Sequence, residues 1–487
     1  MNIKYKFEDL ILVLFILIFI ILGIVGVNQY FVIIVILTSV FLKLPRGFKD
    51  IRVVFLYFLI IFLPFYPSVR AYLMINKCYL LQGIINYLRD FIILILVVLT
   101  FIKNRSLFKF RSEVNNSNYK LMYISMLLIA INYSYGFVIS IFRGYFSLGI
   151  MGIHLNLIPL LMVFIIYNID FRESDLKKMM KYITYIGIIV SIIGIYFYFF
   201  RPIIFGQLFS VFRQFDETPQ QVLNYSRMVS VLLSPNIFGT FMSINLIVSF
   251  SAYYRNNKHL DSGIYLISIL LSLIGLSLSM SRGAWMFGFV GVMTIIHFNN
   301  SKRILDSKLL KIILLAIMVL IILATINPTL IYIIEGRFES LLSFDNDSSY
   351  GRLDNWFNAF RTLGNNFAGY GLGVGGINLI RFPEISESTG IDVIDGFYMK
   401  TIIETGIVGL VLFSAHILLM IIALYRLIIH SDNNKYYVLT LAIFLGVLTQ
   451  SIGSNVFDFV SIAPFIWIFV GIAAKGANEK IFEDDVI

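Results

Sequence analysis

The chain has 487 residues, 59% hydrophobic and 14% charged, with a formal net charge of +10. Soluble domains carry about 25% charged residues, so the composition excludes a soluble protein and indicates an integral membrane one, its positive balance suited to loops beside anionic lipid and not to nucleic acid. The single cysteine, Cys78, excludes internal disulfides and Cys-rich metal sites, and five histidines leave little for a His-based one, so neither a metal nor another cofactor is expected.

A spanning helix needs about 20 mostly apolar residues. Hydropathy places spans near 9–27, 30–43, 51–66, 84–102, 121–142, 148–169, 182–200, 228–253, 263–280, 283–298, 310–334, 398–425, 436–452 and 456–474. The second and third are short, which leaves them open to a re-entrant reading; the expectation is therefore about 12–14 transmembrane helices. No small-residue cleavage site follows the first span, which reads as a retained helix and not a signal peptide. There is no internal repeat.

Lysine-rich loops fall at 43–52, 103–120, 172–181, 255–258, 302–311 and 426–435, after every second span. The positive-inside rule makes these cytoplasmic, with both termini. The alternate loops carry Lys77 but otherwise only arginine: Arg70, Arg143, Arg201, Arg213, Arg227, Arg282, Arg337, Arg352, Arg361 and Arg381. Arginine is the planar, permanently charged fork suited to phosphate. Its retention on the outward side points to a phosphorylated substrate handled there.

Three parts follow: transmembrane helices over 1–335, an outward-facing loop over 336–397 and C-terminal helices with a cytoplasmic tail over 398–487. The loop is net acidic, with eight Asp/Glu against four Arg, so its arginines must act individually. It is also rich in large apolar residues, which argues against disorder. Over 352–362 the pattern predicts an amphipathic helix, with Leu353, Trp356, Phe357 and Phe360 on one face, lying on the outer leaflet. Trp356 and Tyr370 suit sugar stacking or interface anchoring equally.

Candidate chemistry gathers at four places. Ser281-Arg282-Gly283 sits in a short outward turn, where Arg282 is either functional or a snorkelling anchor. Gly351-Arg352 with Trp356 precedes the run Gly369-Tyr370-Gly371-Leu372-Gly373-Val374-Gly375-Gly376, either a cradle for phosphate oxygens or a plain turn. Asp395 stands just before the twelfth span, as a proton acceptor or a helix N-cap. Beyond it Tyr398, Lys400 and Glu404 follow, the last two at i, i+4, a favourable pairing inside a membrane. Ser234-Pro235-Asn236 reads as a helix broken by proline, lining a cavity or merely kinked.

Taken in order, these pieces resemble the O-antigen ligase/polymerase superfamily, which includes the Wzy-type polymerases. The matching pieces are Ser234-Pro235-Asn236, Ser281-Arg282-Gly283, Gly351-Arg352 with Trp356, Gly371-Leu372-Gly373, and Asp395 to Gly406 followed by Ile407-Val408-Gly409, within roughly 210–415. The resemblance implies an all-α, GT-C-like integral membrane fold and metal-independent glycosyl transfer between undecaprenyl-pyrophosphate-linked glycans. A chain-length regulator and a flippase are the candidate protein partners, beside membrane lipids. Arg282, Arg352, Asp395 and Glu404 are the candidate catalytic residues. Arg213, Arg227, Asn236, Trp356, Gly371, Gly373, Tyr398 and Lys400 are the candidate substrate-binding ones. The ligases of the superfamily carry His where this chain has Asp395, followed by Asn where it has Gly396, and this departure favours a polymerase. The alternatives are a lipid-linked oligosaccharide flippase, which would show repeats and charges near the midplane, the ligase itself, and a non-catalytic scaffold.

Overall fold

The computed structural model describes residues 50–103, 117–169, 171, 173–216, 227–255, 259–298, 336, 347–364, 366–431 and 434–479. The expected spans at 9–27, 30–43 and 310–334 lie outside the described residues. The chain divides after Leu59. In the first unit the Asp50 carboxylate accepts the Arg52 backbone N–H at 3.0 Å and starts the helix Ile51–Phe62 (α1), which runs past the division.

The regular structure among the described residues of the second unit is helical, without a strand. A 3-10 turn, Leu63–Phe65, leads into α2 (Tyr66–Ile75). Then come α3 (Tyr79–Lys103), α4 (Ser117–Phe142) and α5 (Phe146–Gly152), the last continued by a π turn, Ile153–Leu157, into α6 (Ile158–Asn168). Next are α7 (Glu173–Phe200), α8 (Ile203–Asp216), α9 (Pro235–Arg255), α10 (His259–Ser279) and α11 (Arg282–Phe298). The loop segment holds α12 (Asp347–Leu363) and α13 (Pro383–Thr389). The chain closes with α14 (Phe397–His430), α15 (Lys435–Gln450), a 3-10 turn Val456–Asp458 and α16 (Ala463–Glu479).

Eight of the described helical stretches are long and apolar enough to cross a membrane, and three shorter apolar helices accompany them. The protein is an all-α integral membrane protein. Helix α14 packs along α4, α11 along α15, α9 along α10 and α16 along α6. Lipid tails drive helices together weakly, so polar contacts help fix the partners. Asn245 on α9 donates to Ser268 and Ser272 of α10, both at 2.8 Å.

Several boundaries differ from the sequence reading. The lysine-bearing stretch from Glu173 is the first part of α7, not a loop, and Glu173 there pairs with Lys177 at 3.1 Å and with Lys435. The arginine-bearing stretch after Arg201 contains α8, whose Leu208, with Ile204 and Phe205, packs on Ala71, Tyr72 and Leu233. Pro235 does not break a helix: it is the first residue of α9, where its missing N–H has no cost. The final span begins at Ala463, because residues 456–458 form a separate turn.

The amphipathic helix of the loop is present as α12, but its apolar residues divide between two faces. Ala359 and Leu363 are buried with Trp356 packed beside them, while Phe357 and Phe360 are exposed. The buried face joins Val374, Leu379, Ile391, Ile394, Met399, Ile402, Ile403 and Leu148 in one apolar core. The segment thus folds over the start of α14 and α5 on a core of its own. This end of the bundle, where α9, α11 and α14 begin, is the loop end.

Candidate functional site

Two polar groups occupy the loop end. The first forms where α9 and α11 start. Leu233 and Met280, the residues immediately before Ser234 and Ser281, both take positive φ, at 56° and 51°. Such geometry in bulky residues is strained and gathers at functional sites. It turns the chain so that two sequence-distant motifs meet. The Ser281 hydroxyl lies 3.1 Å from Asn236 Oδ1. Arg227 donates to the same oxygen through Nη2 at 3.2 Å and to the Ser279 carbonyl through Nε at 2.9 Å. Arg282 is the first residue of α11, half-buried beside this group. Two helix N-termini therefore converge on the Arg227 guanidinium, with Arg282 next in sequence to Ser281, an arrangement that favours an anion.

The second group lies under the loop core. Lys400 is buried on the first turn of α14, its Nζ 2.7 Å from Asp458 Oδ1 and 3.6 Å from Glu404 Oε2. The expected i, i+4 pairing is thus present, with a second carboxylate added. Glu404 Oε1 also accepts the backbone N–H of Gly373 at 2.9 Å and of Gly375 at 3.2 Å. The Gly371 N–H goes to the Glu404 carbonyl at 2.8 Å. Of the two readings of the glycine run, a phosphate cradle or a plain turn, the structure shows its N–H groups taken up from within, by the Glu404 carboxyl. The glycines are required by shape. Gly373 has φ +91°, and a Cβ there would lie 2.2 Å from the Leu148 carbonyl oxygen.

Asp395 is exposed, and its carbonyl accepts the Trp356 indole N–H at 2.8 Å. Helix α14 starts at Phe397 with Gly396 as its N-cap, so Asp395 is not the cap. The Tyr398 hydroxyl donates to the Leu448 carbonyl at 3.1 Å. Tyr370 donates to the Thr362 carbonyl at 2.7 Å and lies under the Arg143 guanidinium. Trp356 and Tyr370 thus both serve the loop's own packing. Arg213 and Arg352 lie on the backbones of α8 and α12; their side chains are outside the described residues.

Asp458 and the pair Arg89-Asp90 escaped the sequence reading. Each is an ionisable residue inside an expected span, at 456–474 and 84–102, and such residues mark functional positions by default. Arg89 is fully buried on α3. Its Nε donates to Asp90 at 2.8 Å, Nη1 to the Val460 carbonyl at 3.4 Å and Nη2 to the His154 carbonyl. Among the described residues no cluster of metal-ligating side chains occurs.

Fold and site together define a membrane protein whose sequence-distant polar motifs are assembled at one end of a helical bundle under an ordered loop. Residues 267–414 match the family model described as O-Antigen ligase, in agreement with the O-antigen ligase/polymerase superfamily that the motifs resemble. The match takes in Ser281-Arg282-Gly283, the loop and the first half of α14; Arg227 and Asn236 precede it and Asp458 follows it. No curated protein matches the chain significantly.

Proposed function

We propose that this protein is a polymerase that joins undecaprenyl-pyrophosphate-linked oligosaccharide repeat units into an O-antigen- or capsule-type polysaccharide. It works on the outer face of the bacterial cytoplasmic membrane, with both termini cytoplasmic. The observation that carries the reading is the meeting of Arg227, Asn236 and Ser281 beside Arg282, where two helices begin. The donor's anomeric carbon already bears a diphosphate leaving group. As the acceptor hydroxyl oxygen bonds to that carbon, the glycosidic C–O bond breaks and its electron pair leaves on the diphosphate. Fixed guanidinium forks and helix N-termini in a low-dielectric setting stabilise that developing charge.

In this reading Arg282 and Arg227 hold the diphosphate, and Arg352 and Arg213 are further candidates to bind it. Asp395, exposed at the start of α14, receives the hydroxyl proton. Asp395 stands where the ligases carry His, which favours a polymerase over a ligase. Glu404 and Lys400 set the loop from below. Glycan length in a deletion strain tests the proposal. Wild type restores a ladder of repeats, whereas Arg282→Ala and Arg352→Ala insert normally and leave single repeats. Full-length polymer from both variants would end the diphosphate reading.

A further inference from the structure

Asp395 is exposed, yet the backbone that carries it is tied on both sides. The Ile394 N–H donates to the Gly375 carbonyl at 3.2 Å, and the Ile394 carbonyl accepts Asn455 Nδ2 at 2.7 Å. The Asp395 carbonyl accepts the Trp356 indole N–H, and the Phe397 N–H donates to the Ser451 carbonyl at 2.8 Å. Gly396 takes φ +103°, and a Cβ there would lie 2.6 Å from the Ile452 carbonyl oxygen. Residues 391–396 belong to no helix. Neighbouring segments therefore supply the bonds that a helical ladder would otherwise give, and two of these bonds come from one stretch, 450–458, between α15 and α16.

The same stretch reaches the group around Arg282. Gln450 Nε2 donates to the Thr240 hydroxyl at 2.7 Å, and that hydroxyl donates to the Asn236 carbonyl at 2.7 Å. Gly283 packs on it as well: an added Cβ would lie 3.1 Å from Gln450 Cγ. At the other end Asp458 accepts from Lys400. One short stretch thus touches the starts of α9, α11 and α14, and it follows the residues 267–414 that match the family model. The chemistry of Asn455 shows what its side chain is for. Its Nδ2 serves Ile394, while its Oδ1 is buried without a partner. An unpaired buried amide oxygen is unfavourable. An apolar side chain would cover Ile394 without that cost, so what the amide adds is the hydrogen-bond donor.

We propose that Asn455 is a positioning residue. Through the Ile394 carbonyl it holds Asp395 at a fixed place relative to the Arg282 group, so that the acceptor hydroxyl gives up its proton as the diphosphate leaves. A misplacement of about 1 Å can cost about 10²-fold in rate. The inference rests on the polymerase reading and on Asp395 as the proton acceptor. The full-length protein in nanodiscs is assayed for turnover at saturation with the lipid-linked repeat extracted from a deletion strain. Undecaprenyl pyrophosphate binding is measured alongside, as a probe of the Arg282 group alone. Asn455→Ala and Asn455→Leu both remove the donor, and the second keeps the bulk. Each lowers turnover about tenfold or more and binds undecaprenyl pyrophosphate as wild type does. A smaller fall in both variants would overturn the proposal. So would loss of binding together with turnover, which would make the contact a tie of the fold. Wild-type turnover by Asp395→Asn would instead overturn the choice of proton acceptor, and a wild type that makes no polymer would overturn the polymerase reading itself.

Discussion

The two polar groups at the loop end are built from different materials. One joins a guanidinium, an amide and a hydroxyl, with Arg227, Asn236 and Arg282 half-buried. The other joins Lys400 to two carboxylates and two backbone N–H groups, all of them buried. A buried ion pair adds little net stability, yet losing one partner is severe because the other charge is stranded. The second group therefore acts as a pin, while the first keeps the exposure that a ligand needs. Nearness in space thus does not make the charges equivalent: burial and the identity of the partners divide a group closed on its own counter-charges from one that keeps an open side.

The largest effect should come from the pin. Lys400→Ala leaves Glu404 and Asp458 facing each other and should cost about 3–5 kcal/mol, seen as a sharp fall in the thermal unfolding midpoint in detergent. A wild-type midpoint would break the contrast. The opposite behaviour is expected of Arg282→Ala: an unchanged midpoint with turnover lowered about 10²–10³-fold. A smaller structural loss, about 1–3 kcal/mol, should follow Gly373→Ala, whose Cβ meets the Leu148 carbonyl in a left-handed backbone. Its unfolding midpoint checks this, and a neutral outcome would mean that the glycine run is not held by shape. Smallest is Trp356→Phe, which gives up one hydrogen bond to the Asp395 carbonyl, worth about 1 kcal/mol. Faster hydrogen exchange around 356–395 with unaltered exchange in α15 would localise that loss.

Much of the architecture was legible because a membrane span is written in composition. The helices at 84–102, 121–142 and 398–425 stand close to where hydropathy puts them, and so does the loop helix. What periodicity could not show was where the backbone stops being helical. The starts of α9 and α11 depend on positive φ at Leu233 and Met280, residues with no special propensity for it. Nor could spacing pair Lys400 with Asp458, 58 positions away. The Lys400–Glu404 contact was readable, being local. The capture of the glycine N–H groups by Glu404 was not, because a nest looks the same in sequence whether it receives a ligand or the protein's own carboxylate.

Helix α14 is interrupted at Gly406, where φ is 64° and ψ −160°. The interruption releases the Ile403 and Glu404 carbonyls to the N–H groups of Tyr370 and Gly371, and the Ile407 N–H to the Phe367 carbonyl. Loop and span are thereby laced through their backbones in the manner of neighbouring strands. A segment attached in this way does not swing as a hinged cover. Lifting it would strip hydrogen bonds from a membrane helix with no water to replace them. Under the proposed function, a lipid-borne substrate accordingly reaches this end of the protein sideways, between helices and along the bilayer plane, and the proposed product leaves past a fixed collar.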